Sequence, residues 1–211
     1  GYLASEQWDA ASAVLGRGLE QMELHGVNAA FGWVGARLAY AFAAAGRVED
    51  ARMLLARVQE PTILDAMPDA GFLAYLGLAL LLIGSREEAA DLGRRSLEAS
   101  RRISEFGSAT LALRLLGEAA LRQDPPDLAA AEAHFRAGLE QAEALGMRVA
   151  AMQCHEGLGR IGRLSEERRD LVREFRAALD LADRLGIASV AGRVRHLLAA
   201  AGPEARAVFD G

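Results

Sequence analysis

Several residue types are absent from the chain or rare in it. Its 211 residues include no lysine, only two threonines and only one cysteine, and they contain no long apolar run. Since all 24 basic residues are arginines, a lysine Schiff base and the lysine of a phosphate-binding P-loop are both excluded. Isoleucine, valine and threonine are too sparse to form β-branched strand segments. The single cysteine, Cys154, cannot form an internal disulfide, which fits a reducing environment and predicts a cytoplasmic location.

The longest apolar stretch runs from Phe72 to Ile83 and is well short of the ~20 residues that a membrane-spanning helix needs. It predicts a buried helix, and we expect no membrane partner. The net charge of −5 argues against a nucleic-acid partner, because a phosphate backbone requires a basic surface. The abundant residues are alanine, leucine, glutamate and arginine, which are strong helix formers, so the predicted fold class is all-α.

A pair of residues four positions apart, the first of them small in four copies out of five, recurs along the chain. The five pairs are Ala11/Leu15, Ala51/Leu55, Ala89/Gly93, Ala131/Phe135 and Leu171/Phe175. The intervals between their first members are nearly equal, and the longest of them contains the insertion Asp124-Pro125-Pro126-Asp127. A period of about 40 residues in a helical sequence predicts stacked helical hairpins.

Turn signals divide the chain into helices. The second helix of a hairpin is expected to end at Gly26, Gly107, Gly146 and Gly186. After a broken helix near residues 1–6, helices are predicted near 7–25, 28–45, 47–59, 70–84, 86–106, 108–123, 126–145, 148–164, 166–185 and 187–201. We predict one repeat domain over residues 1–201, with hairpins near 28–59, 70–106, 108–145 and 148–185, partial units at both ends and a tail at 202–211. The segment Pro61 to Gly71 is the best candidate for a hinge.

Two local patterns resemble tetratricopeptide repeats. They are Leu76-Gly77 followed by Gly84 and Ala89, and Leu158-Gly159 followed by Phe175 and Ala178. The resemblance covers nearly the whole chain, although the period is longer than the one usual for these repeats, about 34 residues. It implies a right-handed α-solenoid of about 10–11 helices.

A second resemblance concerns the long second helices that end in Ala144-Leu145-Gly146 or Arg184-Leu185-Gly186, together with the run from Cys154 to Gly159. These features are similar to the C-terminal repeat regions of large bacterial signalling ATPases. That group includes MalT-like and LuxR-type transcriptional regulators and the ATPase-linked adenylate and guanylate cyclases.

The first resemblance implies that the first helix of each hairpin lines a concave groove. The residues that would face this groove are Trp33, Tyr40, Leu78, Leu81, Leu82, Arg114, Glu118, Arg122, Glu156, Arg160 and Arg163. Such a groove is apolar at one end and arginine-rich at the other, which suits a segment with an apolar anchor and an acidic flank. Two alternatives stay open: the apolar residues are core or covered by a further repeat, or they form the seam of a homodimer.

No residue pattern points to catalysis, a metal or a cofactor. His155-Glu156 lacks a second histidine four residues on, and the other histidines lie in different hairpins. The glycines of Gly157 to Gly162 are spaced like a phosphate loop but follow a helix, so we expect them to allow close helix packing. Cys154 is expected to be buried and His155 to be partly packed between helices. We therefore predict a protein that is not an enzyme.

Two functions are compatible with these features. The first is a protein-interaction scaffold within a larger bacterial signalling or transcription-regulatory protein, which binds a protein or peptide segment or another domain of the same chain. The second is an effector-sensing or autoinhibitory region of an ATPase-linked transcriptional regulator or nucleotide cyclase. The two share a fold and differ mainly in the sequence that precedes it in the full-length gene.

Overall fold

The computed structural model describes residues 1–26, 30–64, 69–165 and 168–201, apart from the side chains of Leu64, Arg168 and Arg169. Within these ranges the chain forms eleven helices and no strand, so the predicted all-α class is confirmed. The helices are α1 (Trp8–Leu24), α2 (Phe31–Ala44), α3 (Val48–Val58), α4 (Pro61–Leu64), α5 (Ala70–Leu82), α6 (Arg86–Arg102), α7 (Phe106–Leu121), α8 (Leu128–Ala144), α9 (Arg148–Leu164), α10 (Arg168–Leu185) and α11 (Ala188–Ala200).

The chain divides into two compact units, Gly1–Leu115 and Leu116–Gly211, with the division inside α7. In the first unit α2 packs against α1, α3 and α5, and α5 packs against α6. In the second unit α9 packs against α8 and α10, and α10 packs against α11. One continuous repeat domain over residues 1–201 stays a prediction, and the expected tail at 202–211 lies outside the described residues.

The observed helix limits lie close to the predicted ones, and α9 begins and ends where the sequence predicts. Residues 1–6 differ, because they form turns in which the Gly1 carbonyl accepts hydrogen bonds from the amides of Ala4 and Ser5. The short helix α4 was not predicted and opens the segment proposed as a hinge. Residues 65–68 of that segment lie outside the described ranges.

The first members of the repeated pairs identified in the sequence lie in the core. All five first members are at most 3% exposed: Ala11, Ala51, Ala89, Ala131 and Leu171. A side chain with a single methyl group lets two helix backbones approach closely, and a larger one would force them apart. Four of these buried positions are alanines, so the repeated pairs mark contacts between helices.

Glycines complete the close packing in the second unit. A β-carbon added at Gly157 of α9 would lie 2.5 Å from Cζ of Phe135, and one at Gly117 of α7 would lie 2.9 Å from the same atom. The Phe135 ring of α8 is therefore held between α7 and α9. A β-carbon at Gly159 would collide with the ring of Phe175 in the same way. The expectation that the glycines of residues 157–162 allow close helix packing is confirmed.

These contact glycines recur along the chain. Gly35, Gly77, Gly117 and Gly157 follow one another at nearly equal intervals, and each belongs to a helix that begins a predicted hairpin. A β-carbon at Gly35 would lie 2.7 Å from Val58, and one at Gly77 would lie 2.5 Å from Leu115. The glycines thus follow nearly the same interval as the buried alanines and were not recognised as a series in the sequence.

Three of the four predicted turn glycines have the left-handed backbone expected at the end of a helix. The φ angles of Gly26, Gly146 and Gly186 are 65°, 66° and 68°. The prediction for Gly107 is wrong, because α6 ends at Arg102, Ser104 adopts a φ of 54°, and Gly107 lies inside α7. The Ser108 hydroxyl donates a 2.7 Å hydrogen bond to Glu105 and so ties together the residues at the start of α7.

The spacing of Ser85 and Glu88 predicts a capping box at the start of α6. This prediction is wrong, because the Ser85 side chain makes no capping hydrogen bond. The Glu88 carboxylate instead accepts a hydrogen bond from the Gln59 amide at the end of α3. A contact between helices has therefore replaced the local one.

Candidate functional site

Five charged side chains join α7, α9 and α11 in the second unit. We call them the arginine ladder: Glu118, Arg122, Glu156, Arg160 and Arg193. Four of the five were predicted to face a binding groove, whereas Arg193 was not. The side chains of the two glutamates are more deeply buried than those of the three arginines.

The first step of the ladder connects α9 to α7. Arg160 donates from Nη1 to Oε1 of Glu118 at 2.7 Å and from Nη2 to Oε2 at 3.2 Å. Arg122, which lies four residues after Glu118 and directly follows the end of α7, donates to the same carboxylate. Two parallel bonds between a guanidinium and a carboxylate fix both distance and orientation. Glu118 thus accepts hydrogen bonds both from the residue that follows α7 and from α9.

The second step connects α11 to α9. Arg193 donates from Nε to Oε1 of Glu156 at 2.6 Å and from Nη2 to Oε2 at 3.0 Å. Glu156 and Arg160 are four residues apart and therefore share one face of α9. Helix α9 is thus linked to α11 through Glu156, which accepts from Arg193, and to α7 through Arg160, which donates to Glu118.

The depth of the ladder differs between its acidic and basic members. The side chains of Glu118 and Glu156 are 13% and 10% exposed, whereas those of Arg122, Arg160 and Arg193 are 34%, 28% and 43% exposed. A carboxylate removed from water is costly unless it is paired and hydrogen-bonded. The glutamates are therefore fixed in place, and they hold the partly exposed arginine side chains in position.

A second ion-pair cluster lies between α9 and α10. Nδ1 of His155 is 2.7 Å from Oε2 of Glu174, and Arg173 donates to Oε1 of the same carboxylate at 2.7 Å. Burial raises the pKa of Glu174, but the hydrogen bonds from His155 and Arg173 outweigh it and hold that pKa below its usual value. Its hydrogen bond to Glu174 raises the pKa of Arg173. His155 is half-buried between the two helices, as predicted, and Cys154 is fully buried.

In the first unit an arginine is stacked among aromatic rings. The guanidinium carbon of Arg37 lies 3.3 Å from the centroid of the Trp33 ring on the same helix and 4.3 Å from that of Tyr75 on α5. The ring centroids of Tyr75 and Tyr40 are 5.8 Å apart, and those of Tyr40 and Trp8 are 5.6 Å apart. This aromatic cluster connects α1, α2 and α5.

The environment of Arg37 suits a structural role. Its Nη1 donates to the Trp33 carbonyl at 3.1 Å. Burial lowers the pKa of Arg37, while Tyr75, Asp69 and Glu105 act in the opposite direction. Since acidic groups already surround this guanidinium, we regard it as a fixed part of the first unit.

The apolar residues predicted for the groove divide into two groups. Tyr40, Leu78 and Leu81 are buried in the first unit, whereas Trp33 and Leu82 are 40% and 39% exposed. A partner can reach only the exposed ones without rearrangement of the core. Among the predicted charged residues outside the ladder, Arg114 is half-buried and Arg163 is exposed.

The site residues that the sequence did not identify are Arg193, Arg173, Glu174, Arg37, Tyr75 and Trp8. A signal existed for the rest of the ladder, because the interval from Glu118 to Glu156 equals that from Arg122 to Arg160. Arg193 has no such signal, since it follows Arg160 at a shorter distance and breaks that interval.

In the part of the chain that the structure describes, no three histidine, cysteine, aspartate or glutamate side chains are grouped as a metal site would require. None of the described helices combines the length and apolarity needed to cross a bilayer. A scan of the chain against models of known protein families gives no match, and no curated protein is significantly similar to it.

Proposed function

We propose that the chain is a tetratricopeptide-like helical scaffold that binds an acidic segment of a partner protein on the arginine ladder. The observation that carries this proposal is the difference in depth within the ladder, in which largely buried carboxylates bind partly exposed arginine side chains. We also propose that the chain is part of a bacterial signalling or transcription-regulatory protein. This additional proposal rests on the resemblance of the repeats.

Several intervals support the repeat architecture. The buried first members of the pairs recur about every 40 residues, and so do the glycines at which helices approach closely. The left-handed turn residues Ser104, Gly146 and Gly186 are separated by nearly the same interval. Three independent features with one period favour a stack of similar hairpins, in which each unit packs only on its neighbours.

The charge of the ladder surface supports an acidic partner. The three arginines of the ladder, Arg122, Arg160 and Arg193, outnumber its two glutamates, Glu118 and Glu156, although the whole chain carries a net charge of −5. Complementary potentials direct encounter and select the partner. The guanidinium groups are already oriented by the carboxylates beneath them, so binding costs less side-chain entropy than it would for freely rotating arginines.

The test is the affinity of the full chain for fluorescent peptides of opposite charge, measured by anisotropy at two salt concentrations. We expect an acidic peptide to bind, a basic peptide of equal length not to bind, and added salt to weaken the complex. The double variant Arg122→Gln/Arg193→Gln, which removes two of the three guanidinium groups of the ladder, should abolish binding, whereas Arg102→Glu at the exposed end of α6 should not. Equal affinity for both peptides, or an unchanged double variant, would overturn the proposal.

A further inference from the structure

A cavity in the first unit is lined by acidic side chains and an aromatic ring. We infer that this cavity binds a guanidinium group, which belongs either to a small molecule or to an arginine side chain of a partner protein. The inference goes beyond the proposed function, because the cavity involves none of the residues of the arginine ladder.

The cavity lies where the start of α1 meets the end of α2, and its volume is about 560 Å³. Volumes of about 300–1,000 Å³ are usual for small-molecule sites. The lining includes Glu6, Trp8 and Asp9 at the start of α1 and Ala44 and Ala45 at the end of α2. The cavity is open to solvent, so a small charged group can enter it without rearrangement of the two helices.

The charges around the cavity favour a cation. Glu6 and Asp9 supply two carboxylates, and among the described residues that line the cavity none is basic. The end of α2 adds partial negative charge, since within the described ranges no backbone amide donates to the carbonyls of Ala44 and Ala45. The start of α1 contributes only about half a positive charge, which is too small to balance two carboxylates.

The aromatic ring in the lining indicates which kind of cation fits. Trp8 is half-buried, and its ring meets that of Tyr40 on α2 edge to face, with the ring centroids 5.6 Å apart. Tryptophan is the aromatic side chain that binds cations best. A planar guanidinium group can stack on such a ring and also donate hydrogen bonds to carboxylates, whereas a compact, strongly hydrated ammonium group makes less use of the ring. The same unit contains a stack of this type between Arg37 and Trp33.

The experiment uses Trp8 as the reporter of binding. Because the chain has two tryptophans, the variant Trp33→Phe leaves Trp8 as the only one, and circular dichroism checks that this variant is folded. Propylguanidinium is titrated against it, and propylurea, which has nearly the same shape but no charge, is the matched probe. We expect propylguanidinium to cause a saturable change in the Trp8 emission at millimolar concentrations and propylurea to cause none.

A second variant tests the contribution of the carboxylates. In the Trp33→Phe background, Asp9→Asn should weaken the binding of propylguanidinium about fivefold, because it removes one of the two negative charges. The matched control is Glu20→Gln, an exposed position of α1 that does not line the cavity. It should leave the affinity unchanged.

A capped peptide of sequence Ala-Ala-Arg-Ala-Ala identifies the source of the guanidinium group. Binding of this peptide at least as tight as that of propylguanidinium would assign the site to an arginine of a partner protein, and weaker binding would assign it to a small guanidinium compound. Either result supports the site.

Three results would overturn the inference. They are equal affinity for propylurea and propylguanidinium, an unchanged affinity of Asp9→Asn, and the absence of a saturable change in both the Trp8 emission and the indole N–H resonance of Trp8. None of them bears on the binding of acidic peptides to the arginine ladder, so the two proposals fail independently.

Discussion

Arg160 of α9 holds the Glu118 carboxylate of α7 through two hydrogen bonds of 2.7 Å and 3.2 Å, across 42 residues of sequence. The two residues are far apart in sequence, so their hydrogen bonds link helix α9 directly to helix α7. Since both partners are largely shielded from water, removing one should cost more than an exposed surface pair would.

We therefore predict that Arg160→Gln lowers the free energy of unfolding by about 1–3 kcal/mol. The double variant Glu118→Gln/Arg160→Gln should lose less than the sum of the single changes, because either single change already removes the ion pair between the two side chains. Urea unfolding of the four proteins measures this coupling. Additive losses would show that the pair is not coupled and would weaken the ladder as a rigid feature.

A second prediction concerns the contact between Gly157 and Phe135. Gly157→Ala places a methyl group 2.5 Å from the ring and should destabilise the protein by about 1–3 kcal/mol. The matched control is Gly192→Ala on α11, where an added β-carbon meets nothing within 4 Å. Because alanine favours helices, the control should stabilise by about 0.5–1 kcal/mol. Thermal unfolding of both variants should give shifts of opposite sign, and shifts of the same sign would contradict the packing.

The stacking of Arg37 on Trp33 gives a third prediction. In a double-mutant cycle with Arg37→Met and Trp33→Leu, we expect a coupling energy of about 0.5–1 kcal/mol. The ring centroid is 3.3 Å from the guanidinium carbon, which is within the range of a strong cation–π contact. Chemical denaturation measures the coupling, and a value near zero would mean that the stack contributes nothing to stability.

The fourth prediction is a dependence of stability on pH. The folded state holds the pKa of Glu174 below its usual value of 4.5, so folding favours the ionised carboxylate. This contribution is complete above the unfolded pKa and is lost as the pH falls through the folded pKa. Between about pH 6 and pH 3, the urea midpoint of the wild type should therefore fall more than that of Glu174→Gln.

The control for this measurement is Glu143→Gln, on the exposed side of α8. It should retain the pH profile of the wild type. A Glu174→Gln profile that also follows the wild type would show that the interactions of Glu174 with His155 and Arg173 do not set the pH dependence.

The positions of the helices could be read from the sequence because their signals are local. Alanine and leucine favour helices, and Gly146 and Gly186 end them with a backbone that other residues rarely adopt. The same local reasoning failed at Gly107 and at Glu88. Ser104 takes the left-handed turn in the first case, and Gln59 of another helix binds the carboxylate in the second.

The candidate site could be predicted only in part, for a related reason. The spacing of Glu118 and Arg122, repeated at Glu156 and Arg160, marks one face of two helices. Which arginine pairs with which glutamate depends on how neighbouring helices are aligned, and no single-helix pattern contains that information. The burial of Tyr40 and the exposure of Trp33, seven residues apart on one helix, also depend on neighbours.

The glycines at residues 35, 77, 117 and 157 have a consequence for how this sequence can change in length. An insertion inside a helix would rotate such a glycine away from its contact and bring a larger side chain against the neighbouring ring or branched residue. An insertion in a turn leaves the contacts on both sides unchanged, so the interval from Gly35 to Gly77 can be two residues longer than the interval from Gly77 to Gly117. We therefore expect related chains to differ in length at their turns and to keep their helices constant in length.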